Sequence, residues 1–262
     1  MTLDDDTIAG LAAHLEAAEL NVRDVTKITD DHPGMDWEDA YAIQDALRRR
    51  REARGHPVVG YKAGLTSFAK MKQMGVATPV FGFVAADMSC QDGGEIRVAG
   101  LIHPKVEAEI CVVTKTTLSG PTCHLGQVLA AVDFVLPALE VIDSRYRDFK
   151  FDLKSVVADN TSASRFVAGT CSRDLQALDL RTLGVVLEKN GRILAMAAGA
   201  AVLGHPLNAV SMLVAHLHAR GRVLPAGSFV MTGGVTEAIA VEPGDHVVAR
   251  YQDLGSVSIR FT

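Results

Sequence analysis

The segment Pro104-Lys-Val-Glu-Ala-Glu-Ile-Cys-Val-Val113 constrains the fold more than any other part of this chain. Side chains alternate across a β-strand, so Glu107 and Glu109 share one face with Cys111 and Val113, while Val106, Ala108, Ile110 and Val112 share the other. Apart from the two acids both faces are apolar, the pattern of a strand covered on both sides. An E-x-E pair on a strand ordinarily marks a solvated face, but apolar neighbours front and back argue against that reading. The chain must therefore build a layered β core that takes two like charges out of water, which is unfavourable unless a proton or a cation comes between them.

The rest of the text agrees with such a core. Ile8, Leu11, Leu15 and Leu20 recur at near-helical spacing, as do Trp37, Tyr41, Ile43 and Leu47, so two amphipathic helices are expected over 3–20 and 35–54. Asp36 with Asp39 three residues on reads as an N-cap, and Gly55 followed by Pro57 ends the second helix. The predicted division is a helical N-terminal cap, residues 1–55, and a mixed β core, residues 56–262, in one compact unit. After Gly55 short Val- and Ile-rich runs alternate with Gly, Pro and Asp, and helices are expected only at about 66–75, 125–133 and 207–221. Glu188-Lys-Asn-Gly-Arg-Ile193 reads as a type I′ hairpin. No G-x-G-x-x-G follows a strand, so a dinucleotide fold is not indicated. With 262 residues, 48% of them hydrophobic, the chain can bury a core of this size.

A third acid, Glu140, sits in the apolar run Val135-Leu-Pro-Ala-Leu-Glu-Val-Ile142, either at a site or paired with an arginine such as Arg145. Three carboxylates without His or Cys donors select a hard cation, so Mg²⁺ or Mn²⁺ is the expected occupant of Glu107, Glu109 and Glu140. Lys62, embedded in Val58-Val-Gly-Tyr-Lys-Ala-Gly-Leu65, is the complementary feature. It either snorkels to solvent or balances an anion, whether the Glu cluster or a substrate carboxylate. Ala158-Asp-Asn-Thr-Ser162 and Met231-Thr-Gly-Gly234 are polar, turn-prone patches suited to hydrogen-bonding an anionic ligand.

Composition narrows the partners. A formal net charge of −5 with scattered basic residues excludes the phosphate-neutralising surface of a nucleic-acid binder. The acidic N-terminus and the lack of about 18 uninterrupted apolar residues lead us to expect a cytoplasmic protein without a membrane partner. Cys90, Cys111, Cys123 and Cys171 lack metal-ligand spacing and are expected to be small buried side chains.

Gly60-Tyr-Lys-Ala-Gly-Leu-Thr-Ser67, Glu107-Ala-Glu109, Pro137-Ala-Leu-Glu-Val-Ile-Asp-Ser-Arg145, Ala158-Asp-Asn160, Leu203-Gly-His-Pro-Leu207 and Thr232-Gly-Gly234, in this order, resemble the 2-oxopent-4-enoate hydratase and 4-oxalocrotonate decarboxylase family of the fumarylacetoacetase-like superfamily. The likeness spans nearly the whole chain. Arg49-Arg-Arg-Glu-Ala-Arg-Gly55, Ala69-Lys-Met-Lys-Gln-Met-Gly-Val76 and Ser144-Arg-Tyr-Arg-Asp-Phe-Lys-Phe-Asp-Leu153 resemble its decarboxylase branch, and Tyr61 stands where the hydratases usually carry Arg.

The resemblance implies an α+β fold with a mixed β-roll core and a small helical N-terminal part. It also implies a divalent metal on the residues matching Glu107, Glu109 and Glu140, and a small 2-oxo dicarboxylic acid chelated through its C1 carboxylate and C2 carbonyl. The implied reaction is decarboxylation of 2-oxohex-3-enedioate to 2-hydroxypenta-2,4-dienoate and CO₂ in the meta-cleavage breakdown of aromatic compounds. A homo-oligomer and association with the partner hydratase follow from the same likeness. Lys62 and Asp87 are the expected catalytic residues, with Lys62, Leu65, Ser162 and Thr232 as substrate contacts. Three alternatives stay open: the hydratase reaction on the same scaffold, C–C bond hydrolysis, for which His32 and Glu38 do not form the usual His and Glu pair, and a non-catalytic oxo-acid binder.

Overall fold

The computed structural model describes residues 1–170, 173 and 175–262; Cys171 lies outside them. Helices α1 (Asp5–Leu20), α2 (Ile28–Asp31) and α3 (Trp37–Ala53) open the chain. Strand β1 (Val58–Gly64), helix α4 (Phe68–Met74) and strands β2 (Val80–Ala85), β3 (Ser89–Cys90), β4 (Glu95–Ile96) and β5 (Lys105–Thr114) follow. Helix α5 (Leu125–Ala131) leads into β6 (Val132–Ile142), α6 (Leu153–Ala158) and β7 (Ala163–Ala168). The remainder comprises β8 (Gly184–Lys189), β9 (Arg192–Ala198), α7 (Pro206–Ala219), β10 (Phe229–Gly234), β11 (Ile239–Ala240), β12 (His246–Tyr251) and β13 (Gly255–Phe261).

Among the described residues the strands form two sheets, an eight-stranded one ordered β2-β1-β10-β5-β6-β7-β3 with β11 also paired to β5, and a five-stranded one ordered β4-β13-β12-β8-β9. Parallel pairs (β1 with β10, β3 with β7, β4 with β13) sit among antiparallel ones, so the core is mixed and the fold α+β, as expected. The two-sided burial of β5 is the organising fact. Val106, Ala108, Ile110 and Val112 are fully buried in the main core, which they share with Leu207, Val210 and Leu213 of α7. On the other face Cys111 packs with Met231, Ala138 and Phe166 in a separate cluster.

The N-terminal helices form as the spacing predicts. Asp36 caps α3 by accepting from the Asp39 N–H at 2.9 Å, while the Asp39 carboxylate accepts from the Asp36 N–H, a reciprocal capping box. Leu15, Ile43 and Met35 build a third apolar cluster, to which Val80, Tyr146, Val157 and Ala158 also belong, so this layer draws on residues well beyond Gly55. Helix α6, not expected from the sequence, supplies two of these; the Asp152 carboxylate caps it by accepting from the Ser155 N–H at 3.0 Å. The hairpin between β8 and β9 turns at Asn190 and Gly191 with φ of 54° and 76°, the two left-handed residues a type I′ turn requires. By length and composition the segment Gly199–Ala219 is apolar enough to cross a membrane, yet Leu207, Leu213, Val214 and Leu217 are buried in the sheet core. Cys111 and Cys123 are buried and Cys90 is half-buried, none in a disulfide.

Candidate active site and metal centre

Four adjacent strands carry the site. Glu107 and Glu109 come from β5, Glu140 from β6, Lys62 from β1, and the Gly233-Gly234 backbone from β10, which lies between β1 and β5. The β5–β6 register sets Glu107 directly opposite Glu140, a like-charge pair at the position where cross-strand contact is closest. One oxygen from each of Glu107, Glu109 and Glu140 lies within 4.8 Å of the others. Glu109 and Glu140 are 0% and 1% exposed, which denies them hydration.

The surrounding groups answer only part of this charge. The Gly233 N–H donates to Glu109 Oε2 at 2.8 Å, and Lys62 Nζ pairs with Glu140 Oε2 at 3.0 Å while donating to the Thr161 carbonyl at 3.2 Å. Among the described residues Glu109 Oε1 and Glu140 Oε1 are buried without a hydrogen-bond partner. Burial drives the Glu109 carboxyl well above its ordinary range, Glu140 reinforces it, and Lys62 only partly opposes it. Burial disfavours the Lys62 ammonium, but Glu140, Glu109 and Glu107 outweigh it and hold its pKa above the usual value. Among the described residues, Lys62 is the cation that meets all three carboxylates. Orphaned carboxylate oxygens within reach of one another suit a divalent cation, and an all-oxygen donor set suits a hard one. The residues therefore fit Mg²⁺ or Mn²⁺, held by Glu107, Glu109 and Glu140.

Glycine makes the close packing possible. A Cβ at Gly234 would lie 2.5 Å from Glu107 Oε2, so any larger residue there would push that carboxylate from its place in the cluster. The Met231-Thr-Gly-Gly234 patch thus meets the acids of β5, and its Gly234 also lines the cavity beside the cluster.

A cavity of about 260 Å³ opens beside the cluster, lined by Lys62, Leu65, Glu107 and Ser162 together with Lys105, Thr161, Phe149 and Phe151. Leu65 has φ of +57°, and Asn160, Thr161 and Ser162 are successive left-handed residues at 49°, 52° and 59°. Strained backbone of this kind persists only where the surroundings hold it. Here Asn160 Nδ2 donates to the Phe83 carbonyl and its Oδ1 accepts from the Phe83 N–H, both at 2.9 Å, which pins the turn to β2. The Ser162 hydroxyl is left buried in the cavity wall with no partner. A larger groove of about 690 Å³, between Tyr41, Phe81 and His216, is lined by one acid, Glu38, and by no member of this cluster.

Two expected site residues lie elsewhere. Asp87 follows β2 in a short 3₁₀ turn, where its carboxylate pairs with Arg51 Nε at 3.1 Å and lines no part of the cavity. The Thr232 hydroxyl is fully buried and donates to the Ile110 carbonyl at 2.8 Å, so it ties β10 to β5 instead of facing a ligand. Glu140 does not pair with Arg145, which binds Asp159. Thr161 lines the cavity within the polar patch expected to meet a ligand, while Lys105, Thr236, Phe149 and Phe151 line it without having been singled out. Strand alternation already placed Lys105 on the Glu107 face, whereas nothing local in the sequence marks the two phenylalanines.

The sequence of the fumarylacetoacetate (FAA) hydrolase C-terminal family matches residues 59–262, over three quarters of the chain. The chain belongs to the fumarylacetoacetate hydrolase family. Within it, the chain is 58% identical over 260 residues to a 4-oxalocrotonate decarboxylase of Pseudomonas putida, covering 99% of this chain and 98% of the relative. It is 39% identical over 259 residues to a 2-keto-4-pentenoate hydratase of Burkholderia vietnamiensis, covering 99% of each. Among solved structures, the 4-oxalocrotonate decarboxylase from Pseudomonas putida G7 complexed with magnesium and adipate superposes with a TM-score of 0.98 at 58% identity, over 100% of this chain and 99% of that one.

Proposed function

We propose that this chain decarboxylates 2-oxohex-3-enedioate, a small 2-oxo dicarboxylic acid, to 2-hydroxypenta-2,4-dienoate and CO₂, with Mg²⁺ or Mn²⁺ held by Glu107, Glu109 and Glu140. The observation that carries this reading is the acid cluster with orphaned oxygens beside Lys62, at the wall of a cavity of about 260 Å³. The similarity to 4-oxalocrotonate decarboxylases over the full chain supports it.

Loss of CO₂ breaks the C5–C6 bond, and the electron pair runs through the C3–C4 alkene to the C2 oxygen, giving a dienolate that takes up a proton. A divalent ion in the cluster would supply Lewis-acid stabilisation of that charge, worth several kcal/mol. Lys62, held protonated by its three acidic neighbours, adds a fixed positive charge on the same side of the cavity. The unpartnered Ser162 hydroxyl is free to accept from or donate to a substrate oxygen and so fixes its orientation. Leu65, Val156 and Phe151 give the cavity apolar wall, which lowers the local dielectric and strengthens these interactions.

The deciding assay is incubation of purified protein with 2-oxohex-3-enedioate and Mg²⁺ while CO₂ release is followed. Production of CO₂ that stops on chelation is the expected result, and no CO₂ at saturating Mg²⁺ would end the reading. Full-length hydratase relatives at 37–39% identity make hydration of 2-hydroxypenta-2,4-dienoate the second reading, and loss of that substrate without CO₂ release would favour it. A place in the meta-cleavage breakdown of aromatic compounds, in the cytoplasm, follows from the proposed substrate. Assembly as a homo-oligomer and association with a hydratase that consumes the unstable product complete the proposal. Light scattering of the protein, alone and mixed with such a hydratase, tests both.

A further inference from the structure

Lys105 is a charged residue of the cavity that the metal-site argument leaves unused. It stands on β5 two residues ahead of Glu107, so alternation gives Lys105, Glu107 and Glu109 one common face. Along that face the strand runs from a half-buried lysine through a half-buried glutamate to a fully buried one. Among the described residues the Lys105 ammonium is paired with no carboxylate; it lies 4.1 Å from the centroid of the Phe149 ring. Phe149 is itself held in a left-handed backbone conformation, φ +59° after Asp148 at +55°, with its N–H donating to the Tyr146 carbonyl at 3.1 Å and its ring 5.8 Å from that of Phe151. A strained aromatic thus supports an uncommitted cation at the wall of a cavity whose other polar end is anionic.

We propose that Lys105 binds the distal carboxylate of a 2-oxo diacid whose oxo-acid end lies at the Glu107, Glu109 and Glu140 cluster, and that it selects dicarboxylates over monocarboxylates. The assignment rests on the substrate reading above. Lys105 and Glu107 share one face of β5 and line the same cavity of about 260 Å³, so that face addresses both ends of such a molecule. In decarboxylation this distal carboxylate departs as CO₂ and its negative charge moves to the C2 oxygen. A cation beside it therefore stabilises the bound reactant more than the transition state. Lys105 acts in recognition, and its removal raises KM without lowering kcat.

The test compares 2-oxoadipate with 2-oxohexanoate, which share the oxo-acid end and differ only in the distal carboxylate, by calorimetry on the Mg²⁺-loaded full chain. Wild type is expected to favour 2-oxoadipate by about tenfold or more, the scale of one charge-assisted contact. Lys105→Met should bring the two affinities within about threefold by weakening 2-oxoadipate alone, Lys105→Arg should restore the preference, and KM for 2-oxohex-3-enedioate should rise about tenfold in the Met variant. Unchanged 2-oxohexanoate binding shows that the Met variant is folded with its metal site intact. A preference that survives Lys105→Met, equal weakening of both ligands, or a fall in kcat at constant KM overturns the assignment. A wild type that releases no CO₂ from 2-oxohex-3-enedioate yet shows the Lys105-dependent preference overturns the decarboxylase reading and supports the lysine assignment. Decarboxylation without that preference does the reverse.

Discussion

Two buried charge clusters flank the same left-handed turn, and they are built to opposite rules. On one side Arg145 pairs with Asp159, donates through Nη1 to the Asp143 and Ala163 carbonyls at 2.9 and 3.0 Å, and also bonds the Asp159 carbonyl. Its guanidinium is 3% exposed and surrounded by acceptors, so burial is matched by hydrogen bonds. On the other side Lys62 meets three carboxylates, and among the described residues Glu109 Oε1 and Glu140 Oε1 find no hydrogen-bond partner. The protein finishes the first cluster with hydrogen bonds, though burial still lifts the Asp159 carboxyl to about 7; the second it leaves unfinished, with carboxylate oxygens unanswered among the described residues. Burial and ion pairing are common to both, and the unanswered oxygens are what distinguish a binding centre from a structural brace.

The contrast can be broken most directly at Glu107. Glu107→Gln removes one charge from the unfinished cluster, so Mg²⁺ binding by calorimetry should be lost and turnover should fall by about 10³-fold. Near-normal turnover at saturating Mg²⁺ would erase the distinction. The converse substitution, Arg145→Met, strands Asp159 in the finished cluster. It should lower stability by about 3–5 kcal/mol in urea unfolding, with Mg²⁺ affinity of the folded protein retained; a loss confined to metal affinity would mean the two clusters are one.

Lys62→Met should lower kcat/KM by about 10²-fold, mostly in kcat if the ammonium faces the developing dienolate and mostly in KM if it holds the C1 carboxylate. Wild-type kinetics would leave the acids to work alone. The smallest effect belongs to a third way of burying a titratable group, which is to give up its charge. Burial, aided by Arg220 and Arg222, lowers the His216 pKa from 6.5 to about 4. The unfolded chain therefore binds the extra proton first, and the His216 contribution to stability is complete above about pH 6.5 and lost as pH falls through about 4. His216→Gln should flatten that part of the melting-temperature profile, and an unaltered profile would remove His216 as its source.

Much of this was legible before any coordinates. Period-two alternation in 104–113 fixes both faces of β5, and the conflict between acid and apolar neighbours marks the cluster without knowledge of the β5–β6 register. Asn190-Gly191 declares its turn because few other pairs tolerate two positive φ values. Asp87 and Thr232 were misplaced because their partners, Arg51 and the Ile110 carbonyl, lie 36 and 122 residues away, and a polar side chain shows its role only through its partner. Helix α6 is six residues long, too short for periodicity to declare it. Phe149 reaches the cavity through a loop whose backbone is set by the Tyr146 and Val25 contacts, so its position exists only in the folded chain.

The approach of Gly234 to Glu107 bears on how this protein can drift over generations. Every missense change at that position adds at least a Cβ, and the atom it meets belongs to a carboxylate the cluster cannot surrender. A larger residue there survives selection only if Glu107 can shift and still serve the cluster, whereas exposed positions on β9 such as Arg192 or Met196 are under no such constraint. In a saturation library selected for activity, the site would leave its sharpest imprint at a residue that has no side chain to contribute.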